Sequence, residues 1–148
     1  MRGISFILNK SEHSILASIL DGIDITSLYW SVSEDEIYVD EGENLYIEKN
    51  IDGMTFLNII NTDYYFVYFA NIKAYPDNNY SDNINCYDDF LNSNCELVIL
   101  CSDGIYYEIY SKSEEVIRII KSNCIKKGFD EIEYITDKND YRTIFSVE

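Results

Sequence analysis

The sequence predicts an α+β fold: a single domain with a mostly antiparallel sheet and helices packed chiefly on one face. Three observations point there. Hairpin signals recur along the chain, the clearest being two apolar runs on either side of Ser102-Asp103-Gly104. Strand–helix–strand units that could make parallel crossovers are few. The length of 148 residues, with 47% hydrophobic and 15% aromatic content, suits one domain with a real core and argues against disorder.

The elements follow from local pattern. Residues 3–8 alternate apolar positions and read as a strand. Asn9-x-x-Glu12 has the form of a capping box ahead of Ile15, Leu16, Ile19, Leu20 and Ile23, a helical stripe. Residues 29–32 and 37–39 read as a hairpin around Ser33-Glu34-Asp35-Glu36. A short strand is expected near 45–47, then a short helix carrying Met54, Leu57 and Ile60. Residues 64–74 are almost continuously aromatic or apolar, as in a central strand buried on both faces. A polar loop spans 76–85, and strands at 96–101 and 105–110 make the hairpin. Ser111-x-x-Glu114 is a second capping box, opening a helix over 112–127 whose inner face is Val116, Ile117, Ile120 and Cys124. Lys126-Lys127-Gly128 closes that helix: the cations oppose its C-terminal dipole and glycine supplies the left-handed cap. Two last strands, 132–136 and 143–147, flank the turn at 137–140.

The formal charge is −16, of which −15 falls on residues 1–111. This argues against binding nucleic acid, which needs clustered Lys and Arg, and against docking on an anionic membrane surface. The longest apolar runs fall far short of the roughly 18 residues of a membrane span. Polar residues from Asn9 onward break any signal-peptide core, so a cytoplasmic location is expected. None of Cys86, Cys95, Cys101 and Cys124 forms a Cys-x-x-Cys pair, so no structural zinc site or disulfide is expected. Cys101 and Cys124 read as small buried hydrophobes.

Few residues offer chemistry. The lone histidine, His13, falls in the first turn of the first predicted helix, where imidazolium is disfavoured, and reads as a surface residue. The six glycines are isolated and make no phosphate-binding loop, and no cofactor is implied. The loop 77–88 has Asp77, Asn79, Ser81 and Asp88 at calcium-loop positions, but Asp82 stands where the sharp turn needs glycine. Carboxylate pairs such as Asp88-Asp89, Glu114-Glu115 and Asp130-Glu131 arise by chance in a chain with 27 acids. The most distinctive polar cluster is Asp137, Asp140 and Arg142. It reads either as a turn locked by an Asp–Arg pair or as an anion-binding arginine held by acids. Among the fourteen tyrosines and one tryptophan, Tyr75 and Trp30 are candidates for a binding face, against the plainer reading that most aromatics are core.

Several stretches together carry a likeness. They are Met1-Arg2-Gly3-Ile4-Ser5-Phe6, Tyr29-Trp30 ahead of Glu34-Asp35-Glu36-Ile37-Tyr38, and residues 65–76. Phe90-Leu91 leading to Cys95-Glu96-Leu97, and Ile135-Thr136-Asp137-Lys138-Asn139-Asp140-Tyr141-Arg142-Thr143, complete the set. Over nearly its whole length the chain resembles a small family of firmicute proteins, domain of unknown function 2691. The resemblance implies a bacterial, single-domain, cytoplasmic protein and carries no activity, cofactor or catalytic residue.

Two functional expectations stand side by side. One is a non-enzymatic acidic domain that binds a basic protein partner, its binding weakened by salt. The other is a small-molecule binder or enzyme using Asp137, Asp140 and Arg142. Pairing of two copies along an exposed strand edge is also open.

Overall fold

The run Leu97-Val98-Ile99-Leu100-Cys101 is buried at every position because it lies in the middle of a sheet covered on both faces. The computed structural model describes residues 1–39, 42–62 and 64–148. Its strands are β1 (Gly3–Ile7), β2 (Tyr29–Tyr38), β3 (Asn50–Asp52), β4 (Phe66–Tyr75), β5 (Leu97–Ser102), β6 (Tyr106–Ser111) and β7 (Asp130–Ile135). They form one seven-stranded sheet in the order β3-β2-β4-β5-β6-β1-β7, antiparallel at every pairing. The helices are α1 (Ile15–Ile19), α2 (Gly53–Ile60), α3 (Tyr87–Leu91) and α4 (Glu114–Lys127).

Strand alternation sorts the core into two layers. Phe6, Trp30, Ile72, Ile99 and Ile109 point to the first face, where α1, α2 and α4 bring Leu16, Phe56 and Ile120 onto them. Tyr75, Val98, Leu100 and Tyr110 point to the second face, covered by α3, the loop that precedes it and the C-terminal segment. The expected fold class holds, with three of the four helices on one face.

Two glycines are fixed by close approach. A Cβ on Gly3 would lie 1.9 Å from the Ile109 carbonyl oxygen where β1 runs beside β6, and one on Gly53 would lie 2.4 Å from the Ile25 carbonyl oxygen. The turn between Ser102 and Tyr106 has Asp103 and Gly104 at positive φ (54° and 74°), and the Ile105 N–H donates to the Ser102 carbonyl at 3.2 Å. Gly128 takes the left-handed cap of α4 at φ 72°, as the sequence predicts.

Several local expectations are corrected. Residues 29–38 form one strand, not a hairpin. Between Ser33 and Glu36 β2 advances one residue more than β4, with Glu34 at φ 48°, and β4 makes up the difference before Val67. The polar run is thus a bulge. The strand expected near 45–47 is absent: that segment is extended and β3 lies further on. Only the second half of β4 is buried on both faces; Phe66 and Tyr68 are exposed. Neither capping box forms as read. α1 is entered through Ser14 at φ 53° with no side-chain cap, and α4 is capped by Ser113, whose hydroxyl accepts from the Val116 N–H at 3.2 Å. His13 precedes α1, its ring 5.0 Å from that of Tyr64. Residues 143–147 are not a strand. They lie across the second face, pinned by side chains.

Candidate functional site

The Asp137, Asp140 and Arg142 cluster sits where the chain leaves β7 and turns onto the second face. Asn139 locks that turn, accepting from the Thr136 N–H at 2.7 Å and donating to the Tyr134 carbonyl at 2.9 Å. Asp137 is exposed at the turn and joins none of the cluster's hydrogen bonds among the described residues. The expected Asp–Arg lock of the turn is therefore replaced by an asparagine.

Arg142 pairs instead with Glu108 of β6. Its Nε donates to Oε2 at 2.9 Å and one Nη2 hydrogen to Oε1 at 3.2 Å, a two-pronged contact. Its Nη1 donates to the carbonyls of Ile144 at 3.2 Å and Ser146 at 2.9 Å. Four of the five N–H donors of the guanidinium are thus engaged. Asp140 has a side chain only 2% exposed. It accepts from Arg2 Nη1 at 3.1 Å, the Tyr110 hydroxyl at 2.9 Å and the Arg142 N–H at 3.3 Å. Arg2 in turn lies 4.2 Å from the centre of the Tyr87 ring.

Further along, the segment is held by residues the sequence did not single out. Asn71 of β4 donates to the Phe145 carbonyl at 2.9 Å and to Glu34 at 2.7 Å, and Ser146 donates to Glu34 at 2.7 Å. Burial works against the charge of Glu34, yet these bonds and the Val147 and Glu148 N–H groups outweigh it and hold its carboxyl below the ordinary value. The half-buried Lys73, whose pKa desolvation lowers, donates to Asn71 Oδ1 at 2.7 Å and fixes the orientation of that amide. Phe145 and Val147 are buried in the second core, Phe145 with its ring 4.7 Å from Tyr110. Segment 140–148 is therefore a strap. Glu34, Asn71 and Glu108 were missed because each looks like an ordinary polar residue of a strand. Strand alternation held one signal, since Glu108 shares a face with Tyr110.

The aromatic candidates lie elsewhere. Trp30 is fully buried on the first face, stacked on Phe56 at 4.2 Å, with its Nε1 donating to the Ile25 carbonyl at 3.1 Å. Tyr75 is buried under the loop, its hydroxyl donating to the Ser81 carbonyl at 2.8 Å. Neither offers a surface to a ligand, and neither touches the cluster.

Arg142 and Asp140 also border an open cleft of about 520 Å³, with Ser5, Glu108 and Glu133 side by side on neighbouring strands beneath it. Three carboxylates and one engaged guanidinium leave it negatively charged. The polar residues of loop 77–88 tie the loop to itself and its neighbours: Asp77 accepts from the Asn79 N–H at 2.9 Å and Asp89 accepts from the Asn85 N–H at 2.9 Å. Among the described residues, no group of three His, Cys, Asp or Glu side chains is placed to hold a metal ion. Burial pushes the thiols of Cys95, Cys101 and Cys124 up to about 11, 12 and 12.

Fold and site together define a single-domain α+β protein whose all-antiparallel sheet is covered on one face by three helices and on the other by α3, the loop before it and a C-terminal strap. The chain belongs to the family described as a protein of unknown function, DUF2691, whose model matches residues 1–146. It is similar to the uncharacterized protein YncE of Bacillus subtilis (strain 168), with 32% identity over 151 aligned positions and 99% of each chain covered. No solved structure matches it.

Proposed function

We propose that this is a non-enzymatic interaction domain that docks a basic segment of a partner protein on the acidic sheet edge made by β2, β3 and residues 42–49. The observation that supports this reading is the charge of that edge. Val39, Ile37 and Val32 bond in turn to Glu43, Leu45 and Lys49, so the segment runs back along β2. Asp35, Glu36, Glu43, Glu48 and Asp52 are exposed there, and Lys49 is the one cation in the sequence between 35 and 52. Exposed Tyr46 and Met54 supply apolar anchors beside the charge. A hetero-partner fits better than a second copy. The far edge, β7, exposes Asp130, Glu131 and Glu133, so pairing edge to edge would set like charges together. A cytoplasmic setting accompanies this reading: all four cysteines are free thiols, and no helix among the described residues is long and apolar enough to cross a membrane.

The test is affinity capture from host lysate at low and high salt, with wild type beside Glu36→Lys/Glu43→Lys/Glu48→Lys. The expected result is a partner held at low salt, released at high salt, and lost from the charge-reversed variant at either. A partner held equally well by both proteins and at both salts overturns the reading. A second reading, a small-molecule site, is favoured by the cleft beside Arg142 alone. Stabilisation by a small metabolite that vanishes in Glu133→Ala would support it.

A further inference from the structure

A second concavity lies at the opposite end of the sheet from the strap turn, beside the β5–β6 hairpin. Its volume is about 160 Å³, well below the roughly 300 Å³ at which drug-sized pockets begin. Four aromatic residues line it, Tyr38, Phe66, Tyr68 and Tyr107, together with two carboxylate residues, Glu12 and Asp103. They come from four separate places: the end of β2, the start of β4, the hairpin with β6 behind it, and the approach to α1. Long-range pairing, not local sequence, brings them together.

Three details mark this as more than a surface dimple. The Tyr107 hydroxyl is completely buried, with the Cys101 thiol beside it. The Tyr107 ring is fixed by parallel stacking on Phe6, with centroids 5.0 Å apart. Tyr68 is held from both sides: its ring is edge-on to Phe69 at 4.9 Å, and it packs so near Gly104 that an added Cβ there would lie 3.4 Å from it. Glu12 is mostly covered, and its only ion pair among the described residues is a long one, 3.9 Å, to Lys127.

Carboxylates exclude an anion, and aromatic rings favour a cation that is weakly hydrated. We propose that this pocket binds an organic ammonium group, with the tyrosine and phenylalanine rings as its cage and Glu12 and Asp103 as its counter-charges. The site is separate from the acidic β2–β3 edge and stands whether or not a protein docks there.

The experiment is titration of the full chain with choline, followed by calorimetry and by NMR of the tyrosine ring protons, against two controls. One is sodium chloride at equal ionic strength. The other is 3,3-dimethyl-1-butanol, which has the shape of choline without its charge. Choline should give a saturable response centred on Tyr38, Tyr68 and Tyr107, and the neutral isostere should give none. Tyr68→Leu should weaken binding about tenfold, the effect of losing one ring from a desolvated cation. Glu12→Gln should also weaken it, and unchanged thermal melts of both variants would show that the fold is intact. A parallel titration with a trimethyllysine peptide distinguishes the source. Tighter binding than choline assigns the pocket to a protein side chain, and weaker binding assigns it to a free ammonium metabolite. Equal binding of the neutral isostere, no saturable response, or unchanged affinity in both variants overturns the proposal.

Discussion

The two faces of the sheet are sealed by different physics. On the first face, helices cover the strands and contact is mainly apolar; side chains meet the backbone chiefly at helix ends, as Asn123 does for the Ile19 and Asp21 carbonyls. On the second face, the strap has no ladder and no helix. Its carbonyls and N–H groups must be met one by one: Arg142 takes those of Ile144 and Ser146, Asn71 that of Phe145, and the Asn85 carbonyl receives the Phe145 N–H. Irregular chain can cover a core only where buried side chains supply what secondary structure would otherwise provide.

The contrast can be broken from either side. Phe56→Ala empties the stacking place opposite Trp30 and should cost about 3–5 kcal/mol, lowering the global denaturation midpoint. Arg142→Ala should cost less, about 1–3 kcal/mol, since it frees one carboxylate and two carbonyls at a partly wetted site. Its effect should also be local. Hydrogen exchange should rise in 140–148 and at Asn85 while α4 stays protected; a uniform rise would show the strap to be integral to global stability.

The smallest effect sharpens the comparison through pH. The folded carboxyl of Glu34 lies below its ordinary value of 4.5. Its contribution is therefore complete above that pH and is lost as the pH falls through the lower folded value. Glu34→Gln should cost about 1 kcal/mol at neutral pH. It should also flatten the acid dependence of strap exchange below pH 4.5, while the first face, closed by apolar contacts, keeps its protection.

What was legible in the sequence follows the same division. The β5–β6 hairpin and α4 announce themselves because their signals are local: Asp-Gly between apolar runs, and Lys-Lys-Gly at a helix end. The bulge in β2 was read as a turn because a polar run looks the same in either, and only the β4 register distinguishes them. The strap was read as a strand for a similar reason: Phe145 and Val147 alternate as strand residues do, but no ladder partner is available to them. Arg142 stood out in the sequence, yet its true partner, Glu108, lies 34 residues away on another strand. Its supporting residues, Arg2, Glu34 and Asn71, are more distant still. Sites assembled by side chains across a sheet leave little trace in spacing.

The place of β1 has a consequence for how the chain acquires its shape. β1 lies between β6 and β7, with Gly3 opposite Tyr110 on one side and Ile135 on the other. The first strand made thus has no neighbour until β6, where Tyr106 pairs with Ile7, has been added. Closing so long a loop precedes any reward from pairing, so refolding should fall toward the slow, millisecond-to-second end of the scale for domains of this size. During synthesis Ile4 and Phe6 wait uncovered, and the stretch most exposed to misassociation is the one that finally knits the two ends of the chain into one sheet.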